Sequence, residues 1–219
     1  MTDTIRITVP AEYVEAALCA ASKEETRYYL KGVFFDGRGY IVATDGSVAF
    51  AAKCGECTAL GNTWADGIGT DGLAGVIVPL DAVAQVIKGK SGPIDLERDA
   101  NGLWWLKRGA VSVHFKPVEG NFPSWHRIIP ELPETLVAAH YAPHYVNALG
   151  NMAKVLRDGK KGDAVNFRIM QNGENPALVL FPAVRHKSSD PEGARGDVCA
   201  VVMPMRGVDV SGFNRAAFV

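Results

Sequence analysis

Residues 28–52 read YYLKGVFFDGRGYIVATDGSVAFAA, and their turns and apolar segments indicate the fold class. Two apolar segments, 28–35 and 40–44, flank the turn sequence Asp-Gly-Arg-Gly, which is typical of a β-hairpin. An Asp-Gly turn at 45–46 then leads into a third apolar segment at 47–52. We therefore predict three consecutive antiparallel strands.

A strand and a helix precede these three strands. Residues 5–9 alternate apolar and polar side chains, as a half-buried strand does, and Pro10 suits the start of a helix over 11–22. The same order of strand, helix and three strands returns in 75–116. It returns again in 135–203, so the chain holds three copies of one unit.

The three copies predict the domain organisation, because two units can close into one domain while the third has no partner in the chain. Such a unit exposes a sheet edge and a helix face, and we expect self-association to cover them. The predicted boundaries are a complete domain at 1–118, an extended proline-rich linker at 119–134, a partial domain at 135–207 and a tail at 208–219.

Composition argues against several classes of protein. The net charge of -1 does not suit a generally basic nucleic-acid binder, although it allows one basic face. We expect no membrane span, because no run of 18 apolar residues occurs, and no signal peptide, because the first six residues lack its basic and apolar parts. The 4 cysteines are too sparse for a disulfide scaffold, which favours a reduced, cytoplasmic setting.

The motifs that could carry catalysis are incomplete. Cys54 and Cys57 have the spacing of half a zinc site or of a redox pair, but no second half follows. His140 and His144 are four residues apart, yet Pro143 separates them at a helix start. No set of nucleophile, base and oxyanion donor can be assembled. We therefore expect that the protein is not an enzyme and has no catalytic residue, metal or cofactor. A small enzyme that uses the cysteines or a metal remains the alternative hypothesis.

Basic residues concentrate at the ends of the predicted helices. They either complement the helix dipole and aid solubility, or they contact DNA phosphates without reading sequence, and both interpretations stay open. The candidate DNA-binding residues are Lys88, Lys90, Lys154, Arg157, Lys160 and Lys161.

Four strings of sequence together resemble the bacterial β sliding clamp, the processivity subunit of the replicative DNA polymerase. They are RYYLKG at 27–32, VATDG at 42–46, GNFPSWHRIIP at 120–130 and, most specific to the family, VVMPMR at 201–206. The resemblance implies an α+β DNA-clamp fold of repeated strand-helix-three-strand units, with antiparallel sheets outside and helices on the inner face. It also implies a shortened, phage-like or mobile-element version, since the chain resembles the middle domain followed by half of the last.

In that family, a groove between the middle and last domains receives partner peptides. Aliphatic and Met side chains suit Leu, Phe or Met anchors. The family continues Thr-Asp-Gly with His-Arg-Leu, whereas this chain has Ser47, Val48 and Ala49, which widens one pocket and removes a polar rim contact. The residues that the resemblance assigns to the groove are Leu30, Thr44, Gly46, Pro123, Arg127, Ile128, Val201, Val202, Met203, Pro204, Met205 and Arg206.

The resemblance implies a non-enzymatic clamp that encircles or cradles double-stranded DNA. Its partners would be DNA polymerase, other proteins with clamp-binding motifs and a clamp loader. Family rings contain six domains, hence twelve half-units, so four chains of three units could close a ring if the unpaired halves of two chains form a hybrid domain. A trimer ring or a dimer is also possible for this homo-oligomer. Two alternatives remain: a peptide-binding module that acts as decoy or regulator of a host clamp, and a segment 201–206 that is simply an edge strand.

Overall fold

The computed structural model describes residues 5–54, 75–89, 91–157, 166–182 and 194–207. The strands are β1 Ile5–Val9, β2 Gly32–Asp36, β3 Tyr40–Thr44, β4 Val48–Lys53, β5 Gly75–Pro79, β6 Ile94–Arg98, β7 Trp104–Arg108, β8 Val111–Phe115, β9 Arg168–Met170, β10 Ala177–Pro182 and β11 Ala194–Val202. The helices are α1 Ala11–Leu18, α2 Leu80–Val86 and α3 Pro143–Val155, with 3₁₀ helices at Glu25–Leu30 and Trp125–Ile128.

The first two units exchange their first strands. β1 lies at the edge of a four-stranded sheet in the order β1-β6-β7-β8, while β5 lies beside β2 in a seven-stranded sheet in the order β5-β2-β3-β4-β11-β10-β9. Every neighbouring pair in both sheets is antiparallel. The exchange closes the two units around one core, and the consecutive antiparallel strands that the hairpin turns predicted are confirmed.

The ladder between β4 and β11 attaches the third unit to the first. It pairs five residues, from Val198 opposite Ala52 to Val202 opposite Val48. The third set of strands therefore continues the sheet of the first unit. Without this ladder, β11 would be an open sheet edge. The ladder gives the backbone N–H and C=O groups of β11 hydrogen-bond partners on β4.

The helices cover one face of the sheets. α1 contacts β2, β3 and β4 and lies between α2 and α3, with contacts to both. The largest side chains in the core, among them Phe35, Phe50 and Phe181, are almost fully buried. Since truncating such a residue to alanine typically costs about 3–5 kcal/mol, this apolar layer is the main source of stability.

The opposite face of the seven-stranded sheet is covered by a segment that we call the strap, residues 117–130. Val118 begins it by donating its backbone N–H to the carbonyl of Ile77, at 3.0 Å. Phe122 then stacks on Phe34, with ring centroids 4.6 Å apart. Trp125 packs on the sheet as a member of the same apolar cluster. The extended connector predicted from its prolines is thus a covering layer that is packed on the sheet.

A buried carboxylate anchors the strap. Trp125 donates its indole N–H to Asp36 at 2.8 Å, and Arg38 donates to the same carboxylate from Nη2 at 2.6 Å and from Nε at 2.9 Å. Asp36 is 1% exposed. Burial raises the pKa of Asp36, but the hydrogen bonds from Arg38 and Trp125 outweigh it, so the pKa lies below its ordinary value. The β2–β3 turn residue is therefore also the anchor of the strap.

Two predicted strands differ from the structure. The first part of 28–35 belongs to the 3₁₀ helix, because Lys31 donates to the carbonyl of Tyr28 and Ser22 donates to that of Leu30, where a strand would make ladder bonds. The segment 135–139 forms only isolated bridges, between Val137 and Asn172 and, just beyond it, between His140 and Met205. Among the described residues no strand lies beside it to form a longer ladder.

Replacing Trp125 with phenylalanine tests the anchor. The ring keeps most of its packing but the bond to a buried charge is lost, so Trp125→Phe is expected to lower the free energy of unfolding by about 1.5–3 kcal/mol in urea titrations. Trp105→Phe is the matched control, because its indole N–H donates at 3.3 Å to the more accessible Asp99. Equal effects of the two substitutions would contradict the anchoring role.

Candidate functional site

A row of small and aliphatic side chains crosses the strap-covered face of the seven-stranded sheet at one end. Thr44 lies opposite Ala49, Ala49 opposite Val201, and Val201 opposite Leu178. Directly opposite residues of antiparallel strands project from the same face. The β4–β11 ladder therefore brings Thr44 and Val201, 157 positions apart in the chain, into one continuous surface.

A small apolar pocket lies where the strap meets this surface. It opens between the second 3₁₀ helix and strands β4 and β11. Ile128 and Val201 come from the groove that the sequence predicted, and Ala49 is one of the positions that departs from the family pattern. The residues around the pocket are Val42, Ala49, Phe50, Ala51, Trp125, Ile128, Ile129, Cys199, Ala200 and Val201.

The β3–β4 turn forms one end of the site and is fixed by its own side chains. The hydroxyl of Thr44 donates to the carbonyl of Val48 at 2.8 Å and accepts the N–H of Gly46 at 3.0 Å. Asp45 accepts the backbone N–H of Ser47 at 2.8 Å. Gly46 has a φ of +94°, which residues with a side chain rarely adopt.

Arg27 lies over this turn and is absent from the predicted groove. Its Nη1 donates to the carbonyl of Asp45 at 3.1 Å, and a Cβ built on Gly46 would lie 2.6 Å from that nitrogen. The string RYYLKG contains Arg27, but its position depends on the 3₁₀ helix, which the strand prediction did not include. The structure therefore adds an exposed cation to this end of the surface.

The C-terminal segment continues past β11 along the same end of the sheet. Met203 donates its N–H to the carbonyl of Ser47 at 2.8 Å, and Met205 donates to that of His140 at 2.7 Å. Met205 and Arg206 are exposed, whereas Val202 is fully buried in the core on the helix side, opposite Val48. Because side chains alternate along a strand, the structure does not place Val202 on the same face as Val201.

The remaining predicted groove residues lie around this surface with different exposure. Leu30 is buried at the end of the first 3₁₀ helix. Pro123 and Arg127 are exposed on the strap, and Met203 and Pro204 are half-buried. The strap is turned here by local hydrogen bonds, since Trp125 donates to the carbonyl of Pro123 at 2.7 Å.

Of the basic residues, Lys88 follows the end of α2 and Lys154 lies in the last turn of α3, and both are exposed. Arg157 is half-buried just past α3. The other three candidates lie outside the described residues: Lys90, Lys160 and Lys161.

The cysteines offer little chemistry in the part of the chain that the structure describes. Cys54 is buried, and Cys57 lies outside the described residues. Burial raises the pKa of Cys199 to about 11, so this thiol stays protonated and weakly nucleophilic at neutral pH. Within the described ranges no group of three His, Cys, Asp or Glu side chains is arranged to hold a metal. None of the helices described is long and apolar enough to cross a membrane.

The positive φ of Gly46 can be tested by substitution. Gly46→Ala forces a side chain into this conformation and against Arg27, so it is expected to cost about 1–2 kcal/mol of unfolding free energy, measured by urea titration. Arg27→Ala is the control, since it removes an exposed hydrogen bond to Asp45 and an exposed ion pair with Glu24 without changing the glycine, a loss of typically about 0.5–1.5 kcal/mol. A Gly46→Ala protein as stable as the parent would show that the turn does not require glycine.

Comparison with known proteins identifies the fold. No protein-family model and no curated protein matches the sequence. Solved structures do match: the Bartonella birtlesii DnaN sliding clamp bound to griselimycin (TM-score 0.57, 20% identity, 93% of this chain and 66% of that one), the Caulobacter crescentus sliding clamp (0.60, 18%, 94% and 68%) and the Helicobacter pylori β clamp bound to a DNA ligase peptide (0.59, 11%, 94% and 66%). This chain thus spans about two thirds of their length. The resemblance seen in the sequence is confirmed at the level of structure: the chain has the fold of the DNA polymerase III β sliding clamps.

Proposed function

We propose that this protein is a sliding clamp, a processivity factor that holds duplex DNA and docks DNA polymerase and other partners without making or breaking a bond. The observation that carries the proposal is the match to β sliding clamps over more than nine tenths of the chain. The pocket beside the β4–β11 ladder supports it, because it joins segments from both ends of the sequence into one apolar surface.

The docking surface suits a short peptide with aliphatic or aromatic anchors. Its floor is apolar around Ala49 and Val201, Met205 adds an adaptable side chain, and Arg27 and Arg127 offer exposed cations for carbonyls or carboxylates. In two of the matching structures a clamp is bound to a peptide or to griselimycin. We propose the same kind of occupant for this chain, in proteins that carry clamp-binding motifs.

DNA would be held without sequence reading by basic residues at the helix ends. Lys88 and Lys154 are exposed at the ends of two different helices, which fits contact with phosphates along one side of a protein whose overall charge is -1. A homo-oligomeric ring, a tetramer or a trimer, would let the clamp encircle the duplex, and a clamp loader would open it.

Reversing the two helix-end charges tests DNA binding. The double variant Lys88→Glu, Lys154→Glu is expected to bind duplex DNA several-fold more weakly, with a salt dependence about two phosphate contacts shallower, in fluorescence anisotropy titrations at several salt concentrations. Lys53→Glu is the control, because Lys53 lies opposite Tyr40 on the sheet face away from the helices. An equal loss in the control would argue against binding along the helices.

Docking is tested with a fluorescein-labelled peptide that carries Leu and Phe anchors. Ile128→Ala removes a half-exposed wall of the pocket, and we expect the dissociation constant to rise about tenfold, or about 1.4 kcal/mol. Leu103→Ala, at an exposed leucine just before β7 of the four-stranded sheet, is the matched control and should leave binding unchanged. Unchanged binding by both variants would exclude this pocket.

A polymerase assay on circular primed DNA distinguishes two hypotheses for this protein: a sliding clamp, or a decoy that binds the partners of a host clamp. Stimulation of a polymerase by the protein supports the clamp. Competition against a host clamp, with no stimulation, would overturn it in favour of the peptide-binding regulator.

A further inference from the structure

In the described part of the chain, the third unit lacks a strand that the first two units have. In the first unit, β5 of its neighbour pairs with the outer edge of β2, and in the second unit β1 pairs with the outer edge of β6. The equivalent strand of the third unit is β9, which pairs with β10 on one side. Among the described residues no strand occupies its other side.

The segment before α3 corresponds to the strands that the first two units exchange. Pro10, Pro79 and Ala142 each immediately precede a helix, so residues 137–141 stand where 5–9 stand in β1. The apolar members of β1 that face the core, Ile7 and Val9, are 2% and 0% exposed. Their sequence counterparts, Ala139 and Tyr141, are also apolar but only half-buried, and they belong to no strand of the two described sheets.

Exposed apolar side chains concentrate at this segment. Of the seven large hydrophobic residues that are exposed in the described structure, four fall between positions 132 and 146: Leu132, Leu136, Val137 and Val146. Val137 is 52% exposed and is held in place from one side, because it donates to the carbonyl of Gln171 at 3.1 Å and accepts the N–H of Gly173 at 3.0 Å. Four exposed large apolar side chains within one stretch of fifteen residues favour an interaction site along this part of the chain.

We propose that a second copy of this chain completes the third unit. Residues 137–141 of each protomer add antiparallel to β9 of the other. The third unit of one protomer and the third unit of its partner then form one complete domain about a twofold axis. The template is within the chain, since the first two units exchange strands in this reciprocal way. A reciprocal contact is self-complementary, as a closed twofold dimer requires, and the added strand satisfies an edge.

The template also sets the register. In both exchanges one outward-facing residue near the end of the receiving strand marks the register. Asp36 lies opposite Gly75, and Glu97 lies opposite Arg6. Gly75 and Arg6 each stand four positions before the residue that immediately precedes the helix, which is Pro79 or Pro10. Met170 is the matching residue of β9, since it pairs with Leu178 on the strap-covered face. Four positions before Ala142 is Ala138. Met170 of one protomer therefore lies opposite Ala138 of the other.

Site-directed cross-linking tests this register. Two chains, one with Ala138→Cys and one with Met170→Cys, are co-expressed and oxidised, and a covalent dimer is expected on a non-reducing gel. Each single variant and the parent, which carries the native cysteines, should give none. The control pair, Ala138→Cys with Ile169→Cys, places the two thiols on opposite faces. Cross-linking as strong in the control pair, or none in the Met170 pair, would overturn the register.

The mass of the assembly tests the interface. Sedimentation equilibrium of the parent at micromolar concentration should give at least two chains of 23.5 kDa, and Val137→Asp should halve that mass. The substitution leaves the single chain folded, as circular dichroism checks, because Val137 is half exposed there. Leu103→Asp is the control. A one-chain mass for the parent, or an unchanged mass for Val137→Asp, sinks the proposal. This interface does not rest on DNA binding, which is measured separately.

Discussion

The antiparallel ladder between β4 and β11 is the contact on which the rest of the molecule depends. It joins strands that are about 150 residues apart in sequence, and its two partners contribute the floor of the pocket from Ala49 and Val201. The same register carries the C-terminal segment to Ser47, so the turn at Gly46 and the residues after β11 meet at one end of the sheet. The continuous seven-stranded sheet and the candidate docking surface are consequences of one set of backbone hydrogen bonds.

The two faces of that sheet have different tasks. The helix side is an apolar core of the kind that dominates folding free energy, whereas the other side is covered by a single extended segment. Because the strap ends in Ile128 and Ile129 at the pocket, the segment that shields the sheet also forms a wall of the site. Stability and recognition thus share residues at this edge, and substitutions on the strap need a folding measurement beside any binding measurement.

Most of the fold follows from local signals in the sequence. The Asp-Gly-Arg-Gly turn and the alternation around it specify β2 and β3, since Asp36 accepts the N–H of Arg38 and Gly39 takes a positive φ. What could not be predicted depends on distant partners. Residues 135–139 have the composition of a strand, but a strand needs a neighbour to bond with. Val202 belongs to the groove motif, yet alternation along β11 turns it into the core. Arg27 acquires a role only through the 3₁₀ helix.

Because the buried carboxylate of Asp36 anchors the strap, the stability of this contact depends on pH. The pKa of Asp36 in the folded protein lies below the ordinary value of about 3.9 that it regains on unfolding. The stabilisation is therefore complete above that ordinary value and is lost as the pH falls through the folded value. The apolar contacts on the helix side of the sheet do not titrate. Acid consequently acts on the covering of this sheet face through the Asp36 anchor of the strap, a contact that the apolar packing of Phe35 and Phe50 on the other face does not share.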